Sequence, residues 1–279
     1  MPVYKDTIYK LERALFSLKS SSVVNCVFED GESPLKESRD IEISDSKFIW
    51  KYPIWYAENI TCHQMTFEET ARSGIWYTKN IKIFNSLIKA PKTFRRAEKI
   101  FVQHSKFPNA IETLWNCRDI HLEDVEFTGD YLGINCENIQ ANNITINGNY
   151  AFDGSKDIVV RDSVLNSKDA FWNCENVTVI NSKIIGEYLG WNSKNVTFIN
   201  CEIESHQGFC YMDGVKLINC KITKSDLCFE YSKNINAEIV SSIDSIKNPT
   251  SGIIRVKEVK ELIMDEQFVD PKKTTIFIE

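Results

Sequence analysis

Apolar and polar residues alternate over short segments that recur every 19 to 21 residues along most of the chain. Residues 177–195 read VTVINSKIIGEYLGWNSKN, and residues 196–214 read VTFINCEIESHQGFCYMDG. Each repeat begins with apolar residues at its first and third positions and a polar residue between them, which is the period of a β-strand. A short, fixed period of this kind predicts a solenoid.

The later positions of each repeat predict corners and two further strands. Asn or Asp occupies the fifth position, for example at Asn181, Asn200 and Asn219. Both residue types tolerate the left-handed backbone conformation that a sharp corner needs. The eighth position is apolar, and a third apolar segment ends in Asn, Asp or Gly. Three strands and three corners per repeat predict one coil of a parallel β-helix.

The alternative solenoid is a leucine-rich horseshoe, which returns through a helical segment in each repeat. No helical periodicity occurs between residues 40 and 250, so the β-helix is favoured. We expect a single all-β domain of about 12 coils over residues 1–279. Coils are expected at 13–252, with caps at 1–12 and 253–279 that cover the open strand edges.

Eight stretches of the chain stand out as motifs: GESPLKES (31–38), KYPIWY (51–56), GIWYT (74–78), ETLWNC (112–117), SKDAFWNCENVTV (167–179), GEYLGWNSKN (186–195), CFEYS (228–232) and SIKNP (245–249). They resemble DUF3737, a bacterial family of uncharacterised proteins grouped with the pectin-lyase-like right-handed β-helices. The resemblance implies a right-handed β-helix over nearly the whole chain. It implies no activity, because the family's function is unassigned and a fold shared with polysaccharide lyases and hydrolases is only an analogy.

Charge and hydropathy restrict the partners and the location. The net charge is −6, without blocks of like charge, which argues against a nucleic-acid partner. The first 20 residues are charged throughout and lack the apolar run of a signal peptide. No stretch of 18 apolar residues could span a membrane. We therefore expect a cytoplasmic protein.

Cysteine and histidine positions predict no metal site and no cofactor. Cys117 and Cys136, like Cys201 and Cys220, occupy equivalent positions in adjacent repeats, near disulfide range. In a cytoplasmic protein we expect all nine cysteines to be reduced and to fill interior columns as small apolar side chains. The four histidines are scattered, and no CxxC spacing occurs.

Five of the six tryptophans share one position, the fifth from the end of a repeat. The preceding position carries no charge in twelve repeats, whereas the tryptophan position carries three. Since an unpaired interior charge is very costly, the tryptophan position is expected to face outward. Ligand binding, burial beneath loops and an oligomer contact all remain open as explanations. The five residues are Trp55, Trp76, Trp115, Trp172 and Trp191, and the same alignment places Cys210 and Phe229 at this position in the last repeats.

The outward aromatic face predicts a surface on which sugar rings can stack. Tyr131, Tyr188, Arg96 and Lys92 are the expected substrate-binding neighbours of the five tryptophans. The candidate catalytic residues are Asp153, Asp169, Asp130, Glu187 and Arg95.

Two reactions fit these candidates. An inverting glycosidase needs two carboxyl groups about 6.5–9.5 Å apart, which Asp153 could form with Asp169 or with Asp130. A lyase would instead use a base together with the cations Arg95, Arg96 and Lys92. The same acids also fit solvated turn residues.

The sequence is therefore compatible with two functions. It does not establish whether the protein is an enzyme. The first is a carbohydrate-binding or carbohydrate-active protein, a hydrolase or a lyase, with an oligosaccharide ligand. The second is a non-catalytic binding or scaffolding rod whose aromatic face contacts a protein partner or a second copy of itself.

Overall fold

The computed structural model describes residues 1–278, and they form parallel β-strands with one short 3₁₀ turn. The chain divides into two compact units, Met1–Ile144 and Thr145–Glu279. Each unit is built as a right-handed parallel β-helix, so the predicted fold class is confirmed. The extent of a single domain and of its terminal caps stays a prediction.

The first unit consists of strands only, within the described residues. They are β1 (Val3–Lys5), β2 (Ile8–Tyr9), β3 (Lys19–Val24), β4 (Val27–Phe28), β5 (Arg39–Ser44), β6 (Lys47–Phe48), β7 (Glu58–His63), β8 (Thr66–Phe67), β9 (Ile75–Trp76), β10 (Lys79–Phe84), β11 (Leu87–Ile88), β12 (Phe94–Arg95), β13 (Glu98–Phe107), β14 (Arg118–Thr128) and β15 (Glu137–Asn142).

The second unit continues the same element types. Its strands are β16 (Thr145–Asn147), β17 (Lys156–Arg161), β18 (Val164–Asn166), β19 (Glu175–Ile180), β20 (Lys183–Ile185), β21 (Lys194–Ile199), β22 (Glu202–Glu204), β23 (Asp213–Thr223), β24 (Lys233–Lys247), β25 (Gly252–Ile263) and β26 (Thr274–Ile278), with the 3₁₀ turn at Pro271–Lys273.

The strand register reproduces the sequence repeat. In the second unit, Val177 pairs with Val196, and Val196 pairs with Val215. The segments expected as caps also contribute paired strands: Val3 of β1 pairs with Ser22, and Gly252 of β25 pairs with Thr274. The described residues therefore make about 15 turns, and the expected count of about 12 was too low.

Phenylalanine rings stacked from turn to turn form much of each core. In the first unit, Phe28 and Phe48 are fully buried, with ring centroids 4.8 Å apart, and Phe48 lies 5.0 Å from Phe67. In the second unit, Phe152 and Phe171 stack at 5.5 Å. These rings occupy inward positions of the repeat, as the alternation predicts.

Asparagine side chains form hydrogen-bonded ladders at the corners. Nδ2 of Asn200 donates to Oδ1 of Asn181 at 3.1 Å, and Nδ2 of Asn219 donates to Oδ1 of Asn200 at 2.9 Å. All three residues have φ near +50°. The predicted stacking of these asparagines at one corner is therefore confirmed.

All nine cysteines lie buried as free thiols in the described part of the chain. The Sγ of Cys136 accepts a hydrogen bond from the amide of Cys117 at 3.4 Å. Burial raises the pKa of the Cys62 thiol to about 12, which keeps it protonated at neutral pH. An interior thiol of this kind packs as a small apolar group.

Candidate functional site

The five column tryptophans are half-buried, whereas the residues before them are buried. Ile54, Phe94 and Phe171 in the preceding column are at most 1% exposed. The alignment of the repeats is wrong in the last turns. It places Phe229 at the outward tryptophan position, but Phe229 stacks on Phe209 at 5.2 Å and is fully buried. Phe229 thus belongs to the interior column, one position away from its predicted place.

In the first unit, the tryptophans form a closed stack with an arginine. The rings of Trp55 and Trp76 are parallel within 6°, with centroids 5.2 Å apart. The guanidinium of Arg95 lies 4.5 Å from the Trp76 ring and 4.8 Å from the Trp115 ring. Trp76 therefore has neighbours on both of its ring faces, Trp55 on one and Arg95 on the other, and Arg95 also covers one face of Trp115.

The predicted cations of the first unit are paired with other side chains. Lys92 and Arg95 contact the Glu112 carboxylate at 3.0 and 3.5 Å. The guanidinium of Arg96 lies 5.9 Å from the Tyr77 ring. Arg95 stabilises the aromatic stack and its own ion pair, so its geometry favours a structural role.

Tyr131 and Asp130 also belong to the first unit. Tyr131 is 42% exposed, and its carbonyl accepts the indole N–H of Trp115 at 2.8 Å. The carbonyl of Asp130 accepts the amide of Glu112 at 3.1 Å. The acids Asp153, Asp169 and Glu187 lie in the second unit.

In the second unit, four residues in left-handed backbone conformation form one column. The amides of Tyr150, Asp169, Tyr188 and Gln207 each donate at 2.9 Å to a carbonyl of the next turn. Their φ angles are 59°, 57°, 58° and 44°. Because the same bend recurs in each turn, their side chains lie above one another.

Gly186 allows two of these loops to lie in contact. A Cβ atom at Gly186 would overlap the Ser167 carbonyl. The glycine therefore brings Glu187 close to Lys168, and their side chains form an ion pair at 3.4 Å. The Lys168 ammonium also lies 5.1 Å from the centre of the Tyr188 ring.

Side chains of this column and the tryptophan column line an open depression of about 340 Å³. The Trp172 and Trp191 rings are tilted by 46°, with centroids 5.8 Å apart. Tyr150 meets Trp172 edge-on at 88°. Tilted rings leave parts of their faces uncovered, in contrast to the parallel stack of the first unit. The lining residues are Tyr150, Lys168, Asp169, Trp172, Tyr188, Trp191 and Gln207.

A hydrogen bond holds Trp172 in this arrangement. Its indole Nε1 donates to the Tyr188 carbonyl at 2.8 Å. Trp191 stacks on Tyr211 at 5.2 Å on its other side. The two tryptophans are therefore ordered before any ligand arrives, which lowers the entropy cost of binding.

Asp169 is the unusual group of this depression. Although sequence reasoning expected an outward acid, the residue is only 2% exposed. Its carboxylate accepts a hydrogen bond from Tyr150, but Oδ1 has no hydrogen-bond partner among the described residues. Burial raises the pKa of Asp169, and the neighbouring carboxylates of Glu187 and Asp153 raise it further. The ammonium of Lys168 and the hydrogen bond from Tyr150 act in the opposite direction but do not cancel the rise. A buried, half-satisfied carboxyl group is costly and marks a candidate functional residue.

The second unit thus brings together Trp172, Trp191, Tyr188 and Asp169 of the predicted site, with Glu187 beside them. Asp153 lies close enough to influence Asp169, and its Oδ1 accepts Asn173 Nδ2 at 2.9 Å.

Sequence reasoning left other residues out of the predicted site. Tyr150, Lys168 and Gln207 line the depression as well. His206 adjoins it, with Nδ1 at 2.6 Å from Asp226 and its ring 5.8 Å from that of Tyr188. Asp169 and Tyr188 are predicted from a position that recurs at intervals of 19, and the same recurrence points to Tyr150 and Gln207.

Among residues 1–278, no group of three or more His, Cys, Asp or Glu side chains is placed to hold a metal ion. The same residues include no helix long and apolar enough to cross a membrane.

The family model described as "Protein of unknown function (DUF3737)" matches residues 2–277. No curated protein matches the sequence.

Solved structures with a similar fold include PfbA, a surface adhesin of Streptococcus pneumoniae, at 10% identity and a TM-score of 0.48, covering 85% of this chain and 83% of that one. A mutant tailspike protein of E. coli bacteriophage HK620, in complex with a pentasaccharide, has 10% identity, a TM-score of 0.44 and coverages of 94% and 60%. The A-module of the Azotobacter vinelandii mannuronan C-5 epimerase AlgE4 has 11% identity, a TM-score of 0.27 and coverages of 99% and 87%. At these scores, the likenesses carry no argument about activity.

Proposed function

Because the chain belongs to the DUF3737 family, whose function is unknown, we propose a function from the site itself: the aromatic depression of the second unit binds carbohydrate. The observation that carries this proposal is the tilted pair Trp172 and Trp191 beside the buried Asp169 carboxyl group. Exposed apolar ring surface next to a few oriented polar groups is typical of a ligand site.

The aromatic rings supply the affinity in this proposal. A sugar ring carries C–H groups on its faces and hydroxyl groups around its edge. The parts of the Trp172 and Trp191 faces that their tilt leaves uncovered can take the C–H groups, while Gln207 can hydrogen-bond to hydroxyls. The depression, at about 340 Å³, is suited to one or two sugar rings.

The charges around the depression favour a neutral sugar over an acidic one. The only lysine in the lining, Lys168, is paired with Glu187 and covers the Tyr188 ring. The other charged group of the lining is Asp169, with Asp153 nearby. An acidic sugar would thus meet carboxylates without a free cation.

A hydrolytic activity is the finer version of this proposal. Asp169 would be the acid, because a raised pKa keeps a carboxyl group protonated to higher pH. Asp153 would be the partnering carboxylate, as the sequence predicts. Arg95 is left out, since it lies between the Trp76 and Trp115 rings and pairs with Glu112. The first-unit tryptophans are left out as well, since they stack on one another or on Arg95.

The second candidate function is a scaffold that contacts a protein through the aromatic stack of the first unit. The parallel rings of Trp55 and Trp76, next to the parallel rings of Tyr56 and Tyr77, favour it. A flat strip of this kind suits a protein partner, or a second copy of the chain, better than a single sugar ring. The cytoplasmic location stays a prediction under both functions.

A glycan array, followed by a cleavage screen of its hits, tests both functions. We expect binding of neutral oligosaccharides that Trp191→Ala weakens, and no effect of Phe268→Ala, which removes an exposed ring of the second unit outside the depression. Cleavage products that disappear with Asp153→Asn and Asp169→Asn would add the hydrolase. An array without hits, together with a concentration-dependent dimer in solution, would support the scaffold instead.

A further inference from the structure

Charged side chains of the first unit form a column along the starts of successive strands. Lys19 pairs in register with Arg39, Arg39 with Glu58, Glu58 with Lys79, and Lys79 with Glu98. Registered neighbours in adjacent parallel strands lie about 4.8 Å apart. The charges alternate in sign from Arg39 onward, but Lys19 and Arg39 are two cations in direct succession.

The alternating part of the column is joined by ion pairs. Arg39 contacts Glu58, and Glu98 contacts Lys79 at 4.0 Å and Arg118 at 2.9 Å. Lys19 makes no ion pair with any carboxylate of the described residues. Like charges opposite one another destabilise a sheet, so this end of the column lacks an anion.

The equivalent column of the second unit shows the complete pattern. It alternates without a break through Lys156, Glu175, Lys194, Asp213 and Lys233, in register from strand to strand. Lys156 contacts Glu175 at 4.0 Å, and Lys233 contacts Asp213 at 3.2 Å. The repeat can therefore carry strict alternation, and the Lys19–Arg39 pair departs from it.

This pair opens onto a depression of about 450 Å³. One wall is formed by Tyr56 and Tyr77, whose rings are parallel within 4°, with centroids 4.7 Å apart. Tyr56 is 47% exposed. Glu37, Glu58 and Lys79 also line the depression. The Glu37 carboxylate pairs with Lys36 at 3.9 Å and the Glu58 carboxylate with Arg39, so neither of them pairs with Lys19.

We propose that this depression is an oxoanion site, in which a carboxylate, sulfate or phosphate group lies between Lys19 and Arg39. The anion would restore the alternation that the rest of the column shows. Arg39 contacts Glu58 through Nη1, so its remaining N–H donors would bind such a group while Lys19 acts as a point charge. The adjacent Tyr56–Tyr77 wall would contact the part of a larger ligand that carries the anionic group.

This proposal concerns the first unit and does not depend on the carbohydrate site of the second. The test compares calorimetric binding of sodium sulfate, and of an oligogalacturonate at equal ionic strength, to the wild type and four variants. Lys19→Glu completes the alternation of charges, and Lys19→Gln removes the positive charge. Lys156→Gln removes a paired cation as a control, and Tyr56→Ala removes one ring of the aromatic wall. The side chains of Lys19, Lys156 and Tyr56 are all exposed, so each variant is expected to fold.

We expect both Lys19 variants to lose at least about tenfold in sulfate affinity, which corresponds to about 1.4 kcal/mol, and Lys156→Gln to bind as the wild type does. Without sulfate, Lys19→Glu should also raise the melting temperature by about 1–4 °C, because it removes the like-charge contact.

The two probes distinguish the sources of the anion. Oligogalacturonate that binds more tightly than sulfate, with the advantage lost in Tyr56→Ala, indicates an acidic sugar. Equal binding of both probes, unchanged in Tyr56→Ala, indicates a free oxoanion. No sulfate binding by the wild type, or equal binding by wild type and both Lys19 variants, would overturn the proposal.

Discussion

Replacing Asp169 by Asn tests whether this carboxyl group is held at a cost to stability. In the folded protein, burial raises the pKa of Asp169, and Oδ1 has no hydrogen-bond partner among the described residues. Asn has nearly the same shape, can still accept the bond from Tyr150, and carries no charge to desolvate. The substitution should therefore stabilise the protein at neutral pH.

The expected gain in the free energy of unfolding follows from Oδ1 of Asp169, which has no hydrogen-bond partner among the described residues. An unpaired buried polar group costs about 1–3 kcal/mol, and more when it is charged. Since the new amide N–H₂ would also lack a partner, we expect the lower end, a gain of about 1 kcal/mol. That corresponds to about 2–4 °C in melting temperature for a domain of 150–250 residues.

The raised pKa determines how the stability advantage of Asp169→Asn changes with pH. A carboxyl group with a raised folded-state pKa binds its proton more tightly in the folded protein than in the unfolded one. Its stabilising contribution is complete below the unfolded pKa of about 3.9 and is lost as the pH rises through the folded value. The advantage of Asp169→Asn should thus grow with pH across this window and then level off.

Asp213→Asn is the matched control with the opposite sign. The side chain of Asn234 and the ammonium of Lys233 lower the pKa of Asp213, at 2.7 and 3.2 Å. Its stabilisation is present above the unfolded pKa and is lost as the pH falls through the folded value, so Asp213→Asn should destabilise at neutral pH. Thermal unfolding from pH 4 to pH 8 measures both variants. A lower melting temperature for Asp169→Asn at pH 7 would refute the reasoning.

Three further substitutions test the packing by urea unfolding. Trp172→Phe should lower the free energy of unfolding by about 1 kcal/mol, because it loses the indole hydrogen bond to the Tyr188 carbonyl while keeping an aromatic ring. An unchanged free energy of unfolding would mean that this hydrogen bond contributes nothing. Asn200→Ala should cost about 1 kcal/mol more than Asn200→Gly, because φ is +53° there and alanine is strained in that region; the reverse order would contradict the left-handed corner. Phe48→Ala should cost about 3–5 kcal/mol, because the ring is fully buried between two others; a loss below about 1 kcal/mol would contradict the stacked core.

The coil could be predicted from the sequence because its period is set by the backbone. Val177 and Val196 recur at the same position, since each turn must return the chain to a parallel strand. Asn200 marks a corner, because few residue types adopt positive φ there. Local alternation and corner chemistry thus determine the fold without knowledge of distant contacts.

The site could be predicted only in part, because side-chain contacts between turns depend on packing. The sequence places Trp55 and Trp172 in equivalent positions, yet one is stacked in parallel and the other tilted. The period does not specify ring orientation, and so it could not separate the two. It also treated Asp169 as a surface acid, because nothing in a period of 19 indicates that its side chain is buried and hydrogen-bonded to Tyr150.

The shift of Phe229 has a similar origin. In an earlier turn, the amide of Cys174 donates to Oγ of Ser193, 19 positions later. The amide of Met212 donates to Oγ of Ser232, 20 positions later, so this turn is one residue longer. One additional residue moves every later side chain to the opposite face of a strand. An alignment at a constant period of 19 therefore places Phe229 on the wrong side.

The most direct test of the carbohydrate site is a calorimetric titration of the tightest-binding glycan from the array into the wild type, Trp191→Ala and Phe268→Ala. Phe268 is an exposed aromatic residue of the same unit that does not line the depression. Stacking on one aromatic side chain is worth about 1–3 kcal/mol in nucleic-acid complexes. On that scale, Trp191→Ala should weaken binding about 5- to 150-fold, whereas Phe268→Ala should leave the affinity unchanged. Equal affinity of the wild type and Trp191→Ala, or an equal loss in both variants, would contradict a carbohydrate site in the depression of the second unit.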